Sequence, residues 1–131
     1  MLFAPAVAVA LLVGLTVADQ NVDRSLEASV RGLLEQYSAA LESRDAAAVK
    51  KVQPSVDVDG LGRAFREMRA LDVEIADVKI LTAEANLARV SCRVTQTLTP
   101  KAGAKRTTTV VRVLRLRRLE GGGWVIETFE R

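Results

Sequence analysis

Residues 87–131, LARVSCRVTQTLTPKAGAKRTTTVVRVLRLRRLEGGGWVIETFER, carry the pattern that decides the fold. From Leu87 to Leu98, Val90, Cys92, Val94 and Leu98 alternate with Arg89, Ser91, Arg93 and Thr97. Alternation at period two marks a half-buried β-strand. Arg106 to Leu119 and Trp124 to Glu130 read the same way, with turns at Pro100 to Lys105 and Glu120 to Gly123. Centring the first turn near Ala102-Gly103 sets Val94 opposite Val111 and Cys92 opposite Val113. Beyond that point the apolar residues jump to Leu114 and Leu116. A slip of one residue sends every side chain to the other face, so a bulge is expected near Val113-Leu114. Trp124 and Ile126 then return beside Leu116 and Leu114. The expected product is a bent antiparallel sheet with one apolar face.

The strand pattern begins before Leu87. Val73 and Ile75 alternate, as do Val78 and Ile80, with a slip of phase that predicts a bulge near Ala76-Asp77. Ahead of this the period is helical. Leu26, Val30, Leu33, Leu34, Tyr37, Ala40 and Leu41 are spaced by three and four, which predicts a helix over Ser25 to Ser43. Asp45 is placed to cap a short second helix, Ala46 to Val52, which Gln53-Pro54 ends, because the residue before proline avoids the α region. Asp57 or Asp59 caps a third, from about Gly60 to Arg69. The expected fold class is α+β: three N-terminal helices packed on a bent antiparallel sheet of about four strands.

Met1 to Ala18 carries no charged side chain. It reads as a signal peptide or a transmembrane segment, with residues 19–24 as a linker and 25–131 as the domain. Export to the periplasm or exterior, or anchoring in the cytoplasmic membrane, is the expectation. An internal start within a longer membrane protein is a further alternative. The remaining length, roughly 110 residues, suffices for one core.

The charge balance, 19 basic against 16 acidic residues, is too even to imply nucleic acid. The chain has no histidine, which removes the commonest general base and metal ligand. Its single cysteine, Cys92, excludes an intrachain disulfide and argues against a cysteine metal site. No metal and no cofactor are expected.

The order of three helices and then a bent sheet, with Leu34-x-x-Tyr37-x-x-Ala40-Leu41-x-x-Arg44-Asp45, the Gln53-Pro54 stop, Thr107-Thr108-Thr109, Leu116 and Gly123-Trp124-Val125-Ile126, resembles the nuclear transport factor 2-like superfamily. The resemblance is to its bacterial SnoaL-like, cystatin-like cone branch, and it covers about Leu26 to Arg131. An apolar segment followed by such a domain also looks like the extracytoplasmic ends of some bacterial serine/threonine kinases, although no kinase motif is present. The resemblance implies a cone that can enclose a ligand, and dimerisation through the outer sheet face. Enzymes of this kind place an Asp–His pair, or an Asp with Tyr and Arg, inside the cone. Here there is no histidine, and Tyr37 is the only tyrosine.

The residues themselves offer little catalytic machinery. Asp45, Asp57 and Asp59 sit where helix caps belong. Glu127 is expected to face outward beside Arg115 and Arg117. The polar Gln96, in phase with Val90, Cys92 and Val94, and its expected neighbour Thr109 are the better clue. With Tyr37, Phe65, Met68, Cys92 and Trp124 they would line a small apolar pocket. The plainer alternative has Gln96 wet at the open end and Tyr37 and Trp124 as core. Cys92 reads as a small buried hydrophobe, since no histidine can activate it. Arg89, Arg93, Arg112, Arg115 and Arg117, with Phe129, are assigned to the outer face. That face is either a solvated sheet back, a basic surface or a homodimer interface. The basic run has no interleaved aromatics, so nucleic acid is not the expected partner.

The function expected from these residues is a non-catalytic domain, sensory in some settings, that binds a small apolar ligand or another protein, held at the membrane through residues 1–18 or exported. The alternatives are a SnoaL-like isomerase, cyclase or hydrolase, and a homodimerisation module.

Overall fold

A computed structural model of the chain describes residues 24–130. The apolar segment at 1–18, and with it the reading of export or membrane attachment, lies outside the described residues. Among the described residues, no helix is long and apolar enough to cross a membrane.

Helix α1 runs through residues 24–42. Its seven apolar positions all turn to the core: Val30, Leu33, Leu34, Ala40 and Leu41 are buried, and Leu26 and Tyr37 pack against them in part. Helix α2 is Ala46–Val52 and helix α3 is Val58–Arg66. The expected caps form. Asp45 Oδ1 accepts from the Ala48 amide at 3.2 Å, and Asp57 Oδ1 from the Gly60 amide at 3.1 Å. Each satisfies an amide that the first turn leaves without a partner. Helix α3 stops short of the expected Arg69 because Met68 already pairs with Pro100 across the sheet.

Strands β1 (Met68–Ala83), β2 (Leu87–Pro100), β3 (Arg106–Arg118) and β4 (Trp124–Glu130) form one antiparallel sheet in the order β1-β2-β3-β4. The bulge expected in β1 is present: pairing shifts between Ala76 and Lys79, with Asp77 at φ 54°. It returns Val78 and Ile80 to the face that Val73 and Ile75 occupy.

The β2–β3 hairpin corrects the expected register. Leu98 pairs with Arg106, Val94 with Val110 and Cys92 with Arg112, and the pairing continues without interruption to Leu87 and Arg117. The hairpin is therefore centred on Ala102, with Gly103 at φ 106° supplying the left-handed turn residue. No bulge occurs at Val113-Leu114. Instead β4 carries one. Leu116 pairs with Ile126 and Arg115 with Thr128, leaving Glu127 as the extra residue. Ser55 Oγ donates to the Glu127 carbonyl at 2.8 Å, so the bulged backbone is satisfied by the α2–α3 loop. Leu114 then faces Phe129 rather than Ile126, and Trp124 pairs with Arg118.

The inner face thus carries Ala88, Val90, Cys92 and Val94 on β2, Leu114 and Leu116 on β3, and Ile126 on β4, all buried against the helices. The outer face holds a threonine ladder. Thr95 and Thr109 hydroxyls meet at 3.1 Å, Thr97 and Thr107 at 3.2 Å.

Candidate functional site

Toward the hairpin end the helices no longer fill the inner face. Between Tyr37 of α1 and the sheet lies a hollow of about 260 Å³, lined by Tyr37, Val94, Gln96, Thr108, Val110, Arg112 and Phe129. Four of these lie on two adjacent rungs: Val94 is opposite Val110, and Gln96 opposite Thr108. Arg112 follows on the next rung, opposite the buried Cys92. Phe129 closes one side, its ring centroid 6.0 Å from that of Tyr37 at a tilt of 44°. That is a favourable aromatic arrangement.

Of the residues expected to form the pocket, the structure brings Tyr37 and Gln96 together. Cys92 is on the same face but buried beneath, 1 % exposed. Thr109 is corrected: it points to the outer face, and Thr108 takes the place beside Gln96. Phe65 is the buried residue of α3 and borders a separate surface hollow with Arg44 and Arg66. Met68 opens β1 at the core margin. Trp124 stands at the other end of the sheet, in a wider hollow with Leu26, Ser29 and Arg118.

Two outer-face assignments are also corrected. Arg112 and Phe129 belong to the inner face, because the uninterrupted β2–β3 register and the β4 bulge set their phase. Val110 lies on the same inner face, opposite Val94. Arg89, Arg93, Arg115 and Arg117 remain outside, and three of them meet acids. Arg89 Nε lies 2.7 Å from Glu130, Arg93 2.7 Å from Asp77, and Arg117 3.9 Å from Glu127. The Arg89–Glu130 contact is bidentate, and it holds the Glu130 carboxyl below its usual range. One signal in the sequence could have found the missed residues. Val110, Leu114 and Leu116 are already in phase with one another, so accepting Arg112 on their face removes any need for a bulge in β3.

Burial raises the Tyr37 hydroxyl above its ordinary pKa of 10.0. The Arg112 charge partly opposes this, and Cys92 adds to it. Tyr37 is therefore a neutral hydroxyl at physiological pH, able to donate one hydrogen bond and accept others. Burial likewise raises the Cys92 thiol above 9.0. Both groups bind protons more tightly folded than unfolded. Their contribution to stability is complete below pH 9 and is lost as pH rises through the folded-state values. Urea midpoints should fall above pH 9, less steeply in Cys92→Ala, and above pH 10 less steeply in Tyr37→Phe. A flat profile from pH 8 to 11 would contradict this.

The lining contains no carboxylate. Among the described residues no three His, Cys, Asp or Glu side chains are grouped to hold a metal ion. What the hollow can do chemically is enclose a small apolar body and orient it with one cation, one amide and two hydroxyls.

No protein-family model and no curated protein matches the sequence. Solved structures do match the three-helix, four-strand arrangement. A nuclear transport factor 2-like superfamily protein from Salmonella enterica serovar Typhimurium aligns with a TM-score of 0.70 at 12 % identity, over 82 % of this chain and 90 % of that one. The chain has the nuclear transport factor 2-like fold. Within that fold it is similar to the hexachlorocyclohexane dehydrochlorinase LinA-type3 from Novosphingobium barchaimii, with a TM-score of 0.65 and 10 % identity over 83 % and 87 % of the two chains. It is also similar to LinA itself, with a TM-score of 0.69 and 11 % identity over 83 % and 86 %.

Proposed function

We propose that this chain is a binding domain for a small, largely apolar ligand, taken into the open end of the cone. The carrying observation is the 260 Å³ hollow, walled by Val94, Val110 and Phe129, on which Tyr37, Gln96, Thr108 and Arg112 converge. Apolar walls with a few placed polar groups are what small-molecule sites are made of. An apolar cavity of about 150 Å³ admits benzene, so this one has room for a single ring with substituents.

A panel of one-ring aromatic fragments tests the reading by amide chemical-shift titration. Fragments should perturb Tyr37, Val110 and Phe129 together. Val110→Trp, at a position 36 % exposed, should fill the hollow without breaking the core and remove those shifts. Fragments that bind Val110→Trp as well as the parent, or none that bind the parent, would sink it.

A small-molecule enzyme of the isomerase, cyclase or hydrolase kind is the second reading. It is supported by the likeness to dehydrochlorinases of the same fold. Such chemistry would draw on Tyr37 as a proton donor, since the lining supplies neither carboxylate nor histidine.

A further inference from the structure

We propose that the ligand of this hollow carries a carboxylate, received by the Arg112 guanidinium at the rim while the ring or chain behind it rests on Val94, Val110 and Phe129. The inference rests on the hollow being a binding site and names the chemistry of what enters it.

The placement of Arg112 is the first ground. The inner row of β3 reads Thr108, Val110, Arg112, Leu114, Leu116, and Arg112 is its one charge within the stretch facing the helices. The second is its lack of an acid. Arg89, Arg93 and Arg117 on the outer face each meet a carboxylate. Arg112 meets none among the described residues, and the hollow it lines contains no Asp or Glu. A cation beside apolar walls without a counter-charge favours an anion entering the same space. The third is shape. The guanidinium fork matches a carboxylate with two parallel N–H···O bonds, which an ammonium cannot reproduce. The remaining polar groups are neutral: the Tyr37 and Thr108 hydroxyls and the Gln96 amide. One positive charge with three neutral partners suits a monoanion better than a dianionic phosphate. The volume completes the argument, because 260 Å³ exceeds what a single unsubstituted ring needs.

Benzoate, benzamide and inorganic phosphate are the probes, titrated into the parent, Arg112→Met and Arg112→Lys and followed by amide shifts. Benzoate should bind the parent about tenfold tighter than benzamide, the scale of one charge-assisted bidentate contact. In Arg112→Met the preference of benzoate over benzamide should vanish, because the charge-reading group has gone. Arg112→Lys should keep part of the preference, having the charge without the fork. Phosphate should bind more weakly than benzoate. Equal affinity for benzoate and benzamide in the parent, or a preference that survives Arg112→Met, would overturn the carboxylate inference and leave the hollow as a binding site. Tighter binding of phosphate than of benzoate would overturn it as well. Failure of both aromatic probes to perturb Tyr37, Val110 and Phe129 would overturn the inference together with the binding reading beneath it. Because Arg112 is exposed, the variants should fold, and matching amide spectra away from the hollow verify this.

Discussion

Leu116→Ala is expected to lower the stability of the domain by about 3–4 kcal/mol, while Val111→Ala, five residues earlier on the same strand, costs under about 0.5 kcal/mol. Leu116 is 0 % exposed, lies between Ala88 and Ile126 across the sheet, and sits in the core beneath the helices. Removing its branched end deletes the transfer free energy of the buried methyls and leaves a cavity that neighbours fill only in part. Val111 is 70 % exposed on the outer face, opposite Arg93. The contrast is large against the roughly 5–15 kcal/mol that holds a domain of this size together. It also tests the register, because a strand with a bulge at Val113-Leu114 would turn Val111 inward. Urea unfolding with unchanged m-values reads both numbers. A Val111→Ala loss comparable to that of Leu116→Ala would reject the uninterrupted pairing of β2 with β3.

Arg44→Ala is expected to cost about 1–2 kcal/mol although the side chain lies at the surface. Helix α1 ends in a Schellman arrangement. The Asp45 amide donates to the Ala40 carbonyl at 3.2 Å, and the Arg44 amide to the Leu41 carbonyl at 3.0 Å. Arg44 holds the left-handed position, φ 55°, where glycine is usual. The reason for an arginine is the reach of its side chain. Its Nη1 donates to the carbonyls of Met68 at 2.9 Å and Arg69 at 2.8 Å, fastening the α1–α2 turn to the start of β1. Alanine keeps the strained backbone and loses both bonds. Arg44→Gly loses the same bonds but relieves the backbone, so it should be milder by about 1 kcal/mol. Equal losses for the two variants would show that the left-handed conformation carries no cost here. No loss in either would show that the two side-chain bonds contribute nothing.

These two sites differ in how far the sequence exposes them. Leu116 could be assigned to the core from alternation alone, since Leu114 and Leu116 flank a charged residue in a strand-length run. The caps at Asp45 and Asp57 were equally open to reading, because a carboxylate before a short helical period has one common use. The β1 bulge was legible in the slip between Ile75 and Val78. Arg44 was not. Its bonds span 24 and 25 residues, and nothing local distinguishes it from a solvated arginine.

The candidate site shows the same division. Tyr37 and Gln96 were found because each keeps the phase of its own element. Thr108, Val110, Arg112 and Phe129 were missed because their face depends on two choices that local alternation does not make. One is the centring of the β2–β3 hairpin on Ala102. The other is the position of the β4 bulge, held where Ser55 reaches the Glu127 carbonyl. A shift of one residue in the first reverses the face of Arg112, and with it whether that residue guards a pocket or coats the back of the sheet; a shift in the second reverses the face of Phe129.

By itself, then, the sequence determined the class of fold, the three helices and four strands, and the rows of residues that keep a common phase. These follow from local periodicity and local capping, which act within a few residues. Only the tertiary structure decided which row faces the helices, because a period of two fixes that two faces exist without saying which one is covered. Packing against α1 and the register of the hairpin made that choice. They placed an arginine on the inner face, at the rim of the hollow.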